Sequence, residues 1–382
     1  MAISFSGNSV FSPAFSSEEL DNYLNKRQSK GLSDADRNKI EIEISPFFER
    51  LTRKIGINKI TLCTTYGLAL FLIHYVSYRT FSKNIFDDFN WILPIDSAII
   101  LFFLFVATHN LKKFATSIYN VFRLESDNKK YYYTVKSTLT DSNMIKYGIF
   151  FGFFNSLMGY SFGIWFSKSS FLYYLSLFEF FNIGFVCGLC FSGIPCIIKM
   201  SYLLSIEKKS IDIDLGNPDK CGGTSPIGLY IAKFALLILL ASLFISSYVY
   251  RTDWVNDSSG IVYYLVKLWI IFPQLIALSM FVSSALFIRK IVHRLKDYHL
   301  NRLSEAMYNL QQHYLNKLPE IDLKNLHEML LIDVVHSRLE KISGDIKEMN
   351  VWPYNLNSGA PYIIAYVMSF IAPINQLTNF LF

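Results

Sequence analysis

The sequence predicts an all-α, polytopic helical membrane protein with six or seven spans and a helical cytosolic region, and three observations carry that expectation. Hydrophobic residues make up 52% of the 382 positions and charged residues only 17%, too apolar a balance for a soluble chain of this length. The apolar residues gather in blocks close to the ~20 residues that cross a bilayer as a helix, instead of spreading at the period of a soluble core. Basic residues alternate between rich and poor connections from block to block, as a fixed sidedness in a membrane requires.

The opening segment, residues 1–59, is polar. It carries no short apolar core followed by a small-residue cleavage site, so the first span is expected to act as its own targeting signal. Ser17 before EELDNYLNKR and Ser33 before DADRNKIEIEI read as helix starts with acids in the first turn, where the positive end of the helix favours them.

Residues 60–288 hold six spans: Ile60–Thr80, Trp91–His109, Tyr147–Ser167, Phe171–Ile198, Pro226–Tyr250 and Ile261–Ile288. Nine Lys and Arg precede the first span, seven separate the second from the third, four separate the fourth from the fifth, and ten follow the sixth. The other connections hold only Arg79 and Lys83, then Lys168, then Arg251. The excess therefore falls on one side throughout, which predicts a cytosolic amino terminus and residence in the cell inner membrane. Trp91, Trp165, Trp254 and Trp352 read as interfacial anchors, and Lys233 and Lys267 as snorkelling side chains.

Residues 289–360 form the cytosolic helical region. No Gly or Pro interrupts the run from Arg289 to Pro319, so the sixth span is expected to continue as one helix roughly 45 Å into the cytosol. Leu300, Leu303, Met307, Leu310 and Tyr314 form a seam at helical spacing. A second helix from Asp322 to about Met349 offers Leu326, Leu330, Val334, Leu339, Ile342 and Ile346 as its partner seam. An intrachain hairpin turned at Pro319 is the simpler pairing, and pairing between subunits is the alternative. The terminal apolar block, 361–382, is either a seventh span or a re-entrant segment, because Asn375, Gln376 and Asn379 make its last third polar.

Five cysteines, four of them inside apolar blocks, point to free thiols, and Cys187 with Cys190 lack the further ligands of a metal site. His293, His299, His313, His327 and His336, spread along the cytosolic helices, show no i, i+4 zinc pairing, and no Gly-Lys-Ser/Thr follows at Walker spacing. No metal, no cofactor and no enzyme activity are expected. The net charge of +6 is explained by sidedness, so duplex nucleic acid is not an expected partner.

Three features carry functional expectations. Gly148, Gly152, Asn155, Gly159 and Gly163 fall on one face of the third span, either a close helix contact or a pore-facing surface. Glu179 stands about nine residues into the fourth span, where an ionised carboxylate needs water, a cation or a donor, and it joins Asn375 and Asn379 as a candidate for an ion path. Asp96 and His74 are polar in the second and first spans and are read as structural. The loop LGNPDKCGGTSPIG, before the fifth span, gathers free backbone donors at a helix start. There Lys208, Lys209, Lys220, Gly222, Gly223 and Thr224 are candidates for holding a phosphate, a cytosolic nucleotide or another anion, the alternative being a capped turn.

The PDKCGG loop at Pro218–Gly223 and the WPY segment at Trp352–Tyr354, ahead of a final apolar block, resemble a loose set of bacterial multi-pass membrane proteins. Their usual pattern has a His before the PD pair and a Leu after the second Gly, where this chain has Asn217 and Thr224. Proteins of this general look include membrane effectors of bacterial anti-phage systems, such as the channel component of the Hailong system. That resemblance implies a pore whose opening collapses an ion gradient. Together with the polar intramembrane residues it sets the functional expectation: a homo-oligomeric ion channel gated through its cytosolic helices, with a secondary transporter or a membrane signalling sensor as the alternative.

Overall fold

A computed structural model describes residues 45–81, 86, 91–122, 130–161, 171–207, 213, 219–251, 261–317 and 323–353. The two helices expected before residue 45, and the terminal block at 361–382, lie outside the described residues. All regular structure within them is helical. The order is α1 (Phe47–Ile55), α2 (Lys59–Thr80), α3 (Ile92–Val121), α4 (Lys130–Thr138), α5 (Asp141–Ser161), α6 (Phe171–Phe191), α7 (Gly193–Ile206), α8 (Ser225–Arg251), α9 (Ile261–Lys317) and α10 (Leu323–Glu348).

Five stretches among the described residues are long and apolar enough to cross a membrane: Lys59–Thr80, Ile92–Val121, Phe171–Ile206, Ser225–Phe244 and Ile271–Leu315. Helix α5, on the expected third span, is not among them. Its glycines, Lys146, Asn155 and Ser156 dilute its apolar content, and the rest of that expected span, 162–167, lies outside the described residues. The expected ends also move. Helix α3 runs to Val121, twelve residues past the expected His109, because its basic end finds protein partners. The fourth span breaks at Ser192, and Pro195 stands in the first turn of α7, where its missing N–H costs no hydrogen bond.

Helices α5 and α6 make the most extensive pairing, and α3 is the hub, touching α2, α6 and α8. Glycines permit these approaches. A Cβ on Gly188 would stand 2.4 Å from the Tyr147 carbonyl oxygen, and one on Gly184 2.5 Å from that of Phe151. The core between the helices is filled by Ile100, Leu104, Phe105, Phe180, Ile183, Phe234 and Met280.

Residues expected on the cytosolic side collect at one end of the bundle. Helix α1 starts after Pro46 and stops at Gly56, whose φ of 73° allows its N–H to reach the Thr52 carbonyl. It is held by Glu49, which meets the buried Lys112 of α3 and accepts from Thr108 Oγ1 at 3.1 Å. Arg50 pairs with Asp141 at the start of α5. Lys130 of α4 pairs with Glu207 beyond α7 at 2.9 Å, and Arg294 of α9 donates to the Ser205 and Glu207 carbonyls.

Helix α9 continues unbroken for 57 residues, about 85 Å, with Pro273 inside it. It packs against α10 of the same chain, Lys296 meeting the carbonyl of Lys347, as an intrachain hairpin requires, while the expected turn at Pro319 lies outside the described residues. The seam expected on α9 is the half-buried one. On α10 the expectation is corrected: Leu330, Val334 and Ile342 are exposed, while Ile332, Leu339 and Ile346 turn towards α9. Apolar residues occupy two rows of α10, and only one row faces the partner helix.

Candidate functional site

The centre of chemical interest is a polar cluster enclosed by α2, α3 and α6. Glu179 of α6 is fully buried, with side-chain exposure of 0%. Its Oε1 lies 3.2 Å from Nε2 of His74 on α2, also at 0% exposure, close but off the hydrogen-bond axis. Its Oε2 accepts from Ser97 Oγ of α3 at 3.2 Å. Tyr66, two turns before His74, lies beside Asn182 and within electrostatic range of Glu179. Asp96, next to Ser97, is 1% exposed, and its Oδ1 has no hydrogen-bond partner among the described residues, nor does Nδ1 of His74.

Helical period explains the assembly. Tyr66, Leu70 and His74 are separated by four residues each and share the face of α2 on which Gly67 closes on Ala98. Glu179 and Asn182 are three apart on α6, and both reach α2. A carboxylate, an imidazole, a phenol and a hydroxyl thus meet between three helices, with the buried Asp96 next to Ser97 on α3. A buried carboxylate is stable only when neutralised by a proton, a cation or several donors. The cluster atoms without a hydrogen-bond partner among the described residues, Oε1 of Glu179, both nitrogens of His74 and Nδ2 of Asn182, are where a proton, a small cation or water would complete it. Ser97, Tyr66 and Asn182 were not singled out by sequence; the available signal is that each is a polar residue within an apolar block.

The small-residue row of α5 faces α6. Added Cβ atoms on Gly148 and Gly152 would meet the Phe185 and Phe181 rings at 2.8 Å. Asn155 Nδ2 donates to the Phe180 carbonyl at 2.6 Å, and Ser156 Oγ to that of Leu177 at 3.0 Å. Gly159 is buried on the same helix. Gly163, Asn375 and Asn379 lie outside the described residues. Next to this contact, Asn155, Ile183, Gly184, Cys187, Ile238, Phe272 and Pro273 line a small, partly open apolar pocket.

At the basic end, the anion that occupies the start of α8 is the chain's own Asp219. Its Oδ1 accepts from the N–H groups of Cys221 (2.8 Å) and Gly223 (3.0 Å), and Oδ2 from that of Ser225 (3.3 Å). Thr224 Oγ1 donates to the Cys221 carbonyl at 2.7 Å. Lys220 (φ 54°), Gly222 (φ 64°) and Gly223 (φ 78°) carry the left-handed turns. Burial, with the Asp219 charge nearby, pushes the Cys221 thiol up to about 11. The loop is thus capped from within, and the Lys220 side chain stands exposed beside it. Lys208 and Lys209 lie outside the described residues.

The PDKCGG loop meets the WP segment. Asn350 N–H donates to the Lys220 carbonyl at 2.8 Å, and Gly222 sits so close to Met349 that a Cβ would lie 3.3 Å from its sulfur. Lys296 of α9 donates to the carbonyls of Lys347 (2.7 Å) and Met349 (2.9 Å), and Arg289 lies 4.7 Å from the centre of the Trp352 ring. Trp352 is therefore a cation–π partner of α9. The end of α10 is pinned both to the loop that starts α8 and to α9 where it leaves the apolar core.

All five cysteines are free. Among the described residues no three His, Cys, Asp or Glu side chains are grouped so as to hold a metal ion. No protein-family model, curated protein or solved structure matches the chain.

Proposed function

We propose that this chain is a multi-pass helical protein of the bacterial inner membrane, amino terminus in the cytosol, that assembles as a homo-oligomer and conducts ions. The observation that carries the reading is the enclosed cluster of Glu179, His74 and Ser97 within helices apolar enough to cross a bilayer. Intramembrane carboxylates are costly and mark ion or proton paths. The cluster is closed to solvent here, so conduction requires movement of α2 or α6. The junction at Lys220, Asn350, Lys296 and Trp352 is the physical link through which the α9–α10 hairpin would impose that movement. An anionic cytosolic ligand, a nucleotide among the candidates, would act at the exposed Lys220, because Asp219 already occupies the helix donors. The resemblance of the PDKCGG and WPY motifs extends the reading to a defence effector that depolarises the membrane.

The test is single-channel recording of the purified protein in planar bilayers, comparing the parent with Glu179→Gln and His74→Leu. Discrete currents altered by either change are expected. Silent bilayers at all voltages, with and without nucleotides, overturn the channel reading.

A proton-coupled secondary transporter is the second reading, favoured by the enclosure of a carboxylate and an imidazole between helices of a single chain. Solute uptake into proteoliposomes driven by a pH gradient, without unitary currents, would select it.

A further inference from the structure

The atoms around Glu179 discriminate between the ions that such a site could carry. Glu179 Oε1 and His74 Nε2 stand 3.2 Å apart, and neither side chain has any exposed surface. Oε1 and both ring nitrogens of His74 have no hydrogen-bond partner among the described residues. No Lys or Arg forms an ion pair with Glu179 among those residues. The other titratable groups around the pair are Tyr66 on α2, within electrostatic range of Glu179, and Asp96 on α3, beside Ser97 and within range of Cys187 on α6. The row of α5 that packs on α6 brings Gly148, Gly152, Asn155 and Ser156, none of which titrates. Helix α7, with Lys199, begins beyond the other end of α6, roughly 20 Å along the axis from Glu179. With no fixed positive charge beside it, the buried carboxyl group is neutralised by a proton, held on Oε1 or passed to Nε2.

A metal cation asks for something else. It takes several oxygen ligands, commonly carboxylates or backbone carbonyls freed from helical bonding. Here the carboxylate has an imidazole on one side and Ser97 Oγ on the other. Helices α2, α3 and α6 are helical through His74, Ser97 and Glu179, so the carbonyls there are engaged along the helices. An imidazole nitrogen turned to the carboxylate is a poor neighbour for an alkali ion and a direct acceptor for a proton. The enclosure points the same way, because a stripped metal ion needs a full set of replacement ligands, whereas a proton needs only donors and acceptors within hydrogen-bond reach.

We propose that the ion carried at this site is the proton, relayed between Glu179 and His74. The Oε1–H bond breaks as Nε2–H forms, leaving a carboxylate and an imidazolium whose charges cancel within the enclosed site. The imidazolium then gives up its Nδ1 proton to water, the bonding pair staying on nitrogen, and the carboxylate takes the next proton from the side of Ser97. Exchange of the Nε2 proton for one at Nδ1 resets the ring, so one proton enters for each that leaves and no electron moves. Imidazole suits this task, since either nitrogen can hold or release a proton near neutral pH. The assignment rests on the conducting reading above and names the ion for the same site.

The test uses the purified full chain in planar bilayers. A tenfold difference in proton activity across the bilayer is expected to move the zero-current potential by about 59 mV, while exchange of K⁺ for Na⁺ leaves it in place. His74→Gln, which keeps a polar side chain that takes up no proton, and Glu179→Gln are each expected to lower proton flux into proteoliposomes, read by an enclosed pH dye, at least about a hundredfold. The measurement on the parent decides the ion even where a variant fails to fold. A zero-current potential that follows K⁺ or Na⁺ overturns the proton assignment and leaves the channel reading standing. A parent silent under both kinds of gradient overturns both, and proton flux that survives both substitutions in folded variants overturns the Glu179–His74 relay.

Discussion

Removal of His74 should expose the energetic character of the buried cluster. His74 and Glu179 each have no exposed side-chain surface, and besides the imidazole the Glu179 carboxylate has Ser97 as its hydrogen-bond donor among the described residues. His74→Leu deletes the imidazole without adding a donor, and leaving a buried carboxyl group one polar neighbour short costs about 1–3 kcal/mol. Glu179→Gln keeps a shape that still bonds Ser97 and removes the carboxyl group, for an expected loss of about 1–2 kcal/mol. The double variant should then lose little beyond Glu179→Gln, because the leucine no longer strands a carboxylate. Equilibrium unfolding by SDS titration in mixed micelles reads all four corners of the cycle, and a coupling of about 1–3 kcal/mol is expected. Losses that add to within about 0.5 kcal/mol would refute the argument, since they would mean that neither side chain senses the other.

Three further outcomes follow from the packing and the loops. Gly188→Ala places a methyl 2.4 Å from the Tyr147 carbonyl oxygen, a backbone atom that cannot swing aside, so it should cost about 1–3 kcal/mol in the same assay; Gly344→Ala, with nothing within 4 Å, should not. Lys112→Met leaves the buried Glu49 with Thr108 but no cation, so about 3 kcal/mol should be lost and limited trypsin should cut faster at Arg50, Arg53 and Lys54. For Cys221 the thiol form is favoured by the fold, with a folded value near 11 against an ordinary 9. The stability it contributes is complete below about pH 9 and is lost as pH rises towards 11. In a chain retaining Cys221 alone, maleimide labelling should be slow at pH 8 until detergent or denaturant opens the loop.

The helical class and the apolar blocks were legible because the length of a block is a property of one segment. The boundaries were less so. Lys112 reads as the polar end of a span, yet α3 continues past it because Glu49, more than sixty positions earlier, neutralises it. The two apolar rows of α10 obey the same spacing, and nothing local distinguishes Ile332, Leu339 and Ile346, which turn inward, from Leu330, Val334 and Ile342, which do not. Glu179 stands out by its type alone, but its partners come from helices whose relative rotation no single-helix period specifies. The donors before α8 read as open because the glycines draw attention first. Asp219, two residues before the first of those donors, Cys221, is the signal that the loop closes on itself.

The unbroken α9 has a mechanical side. Packing holds it from Ala277 to Leu295, and from there to Lys317 roughly 33 Å of helix projects towards the hairpin tip. The torque that a sideways push exerts on the packed stretch grows with its distance from the bundle. Weak contacts made at the tip therefore load that stretch with a greater moment than the same contacts made beside it.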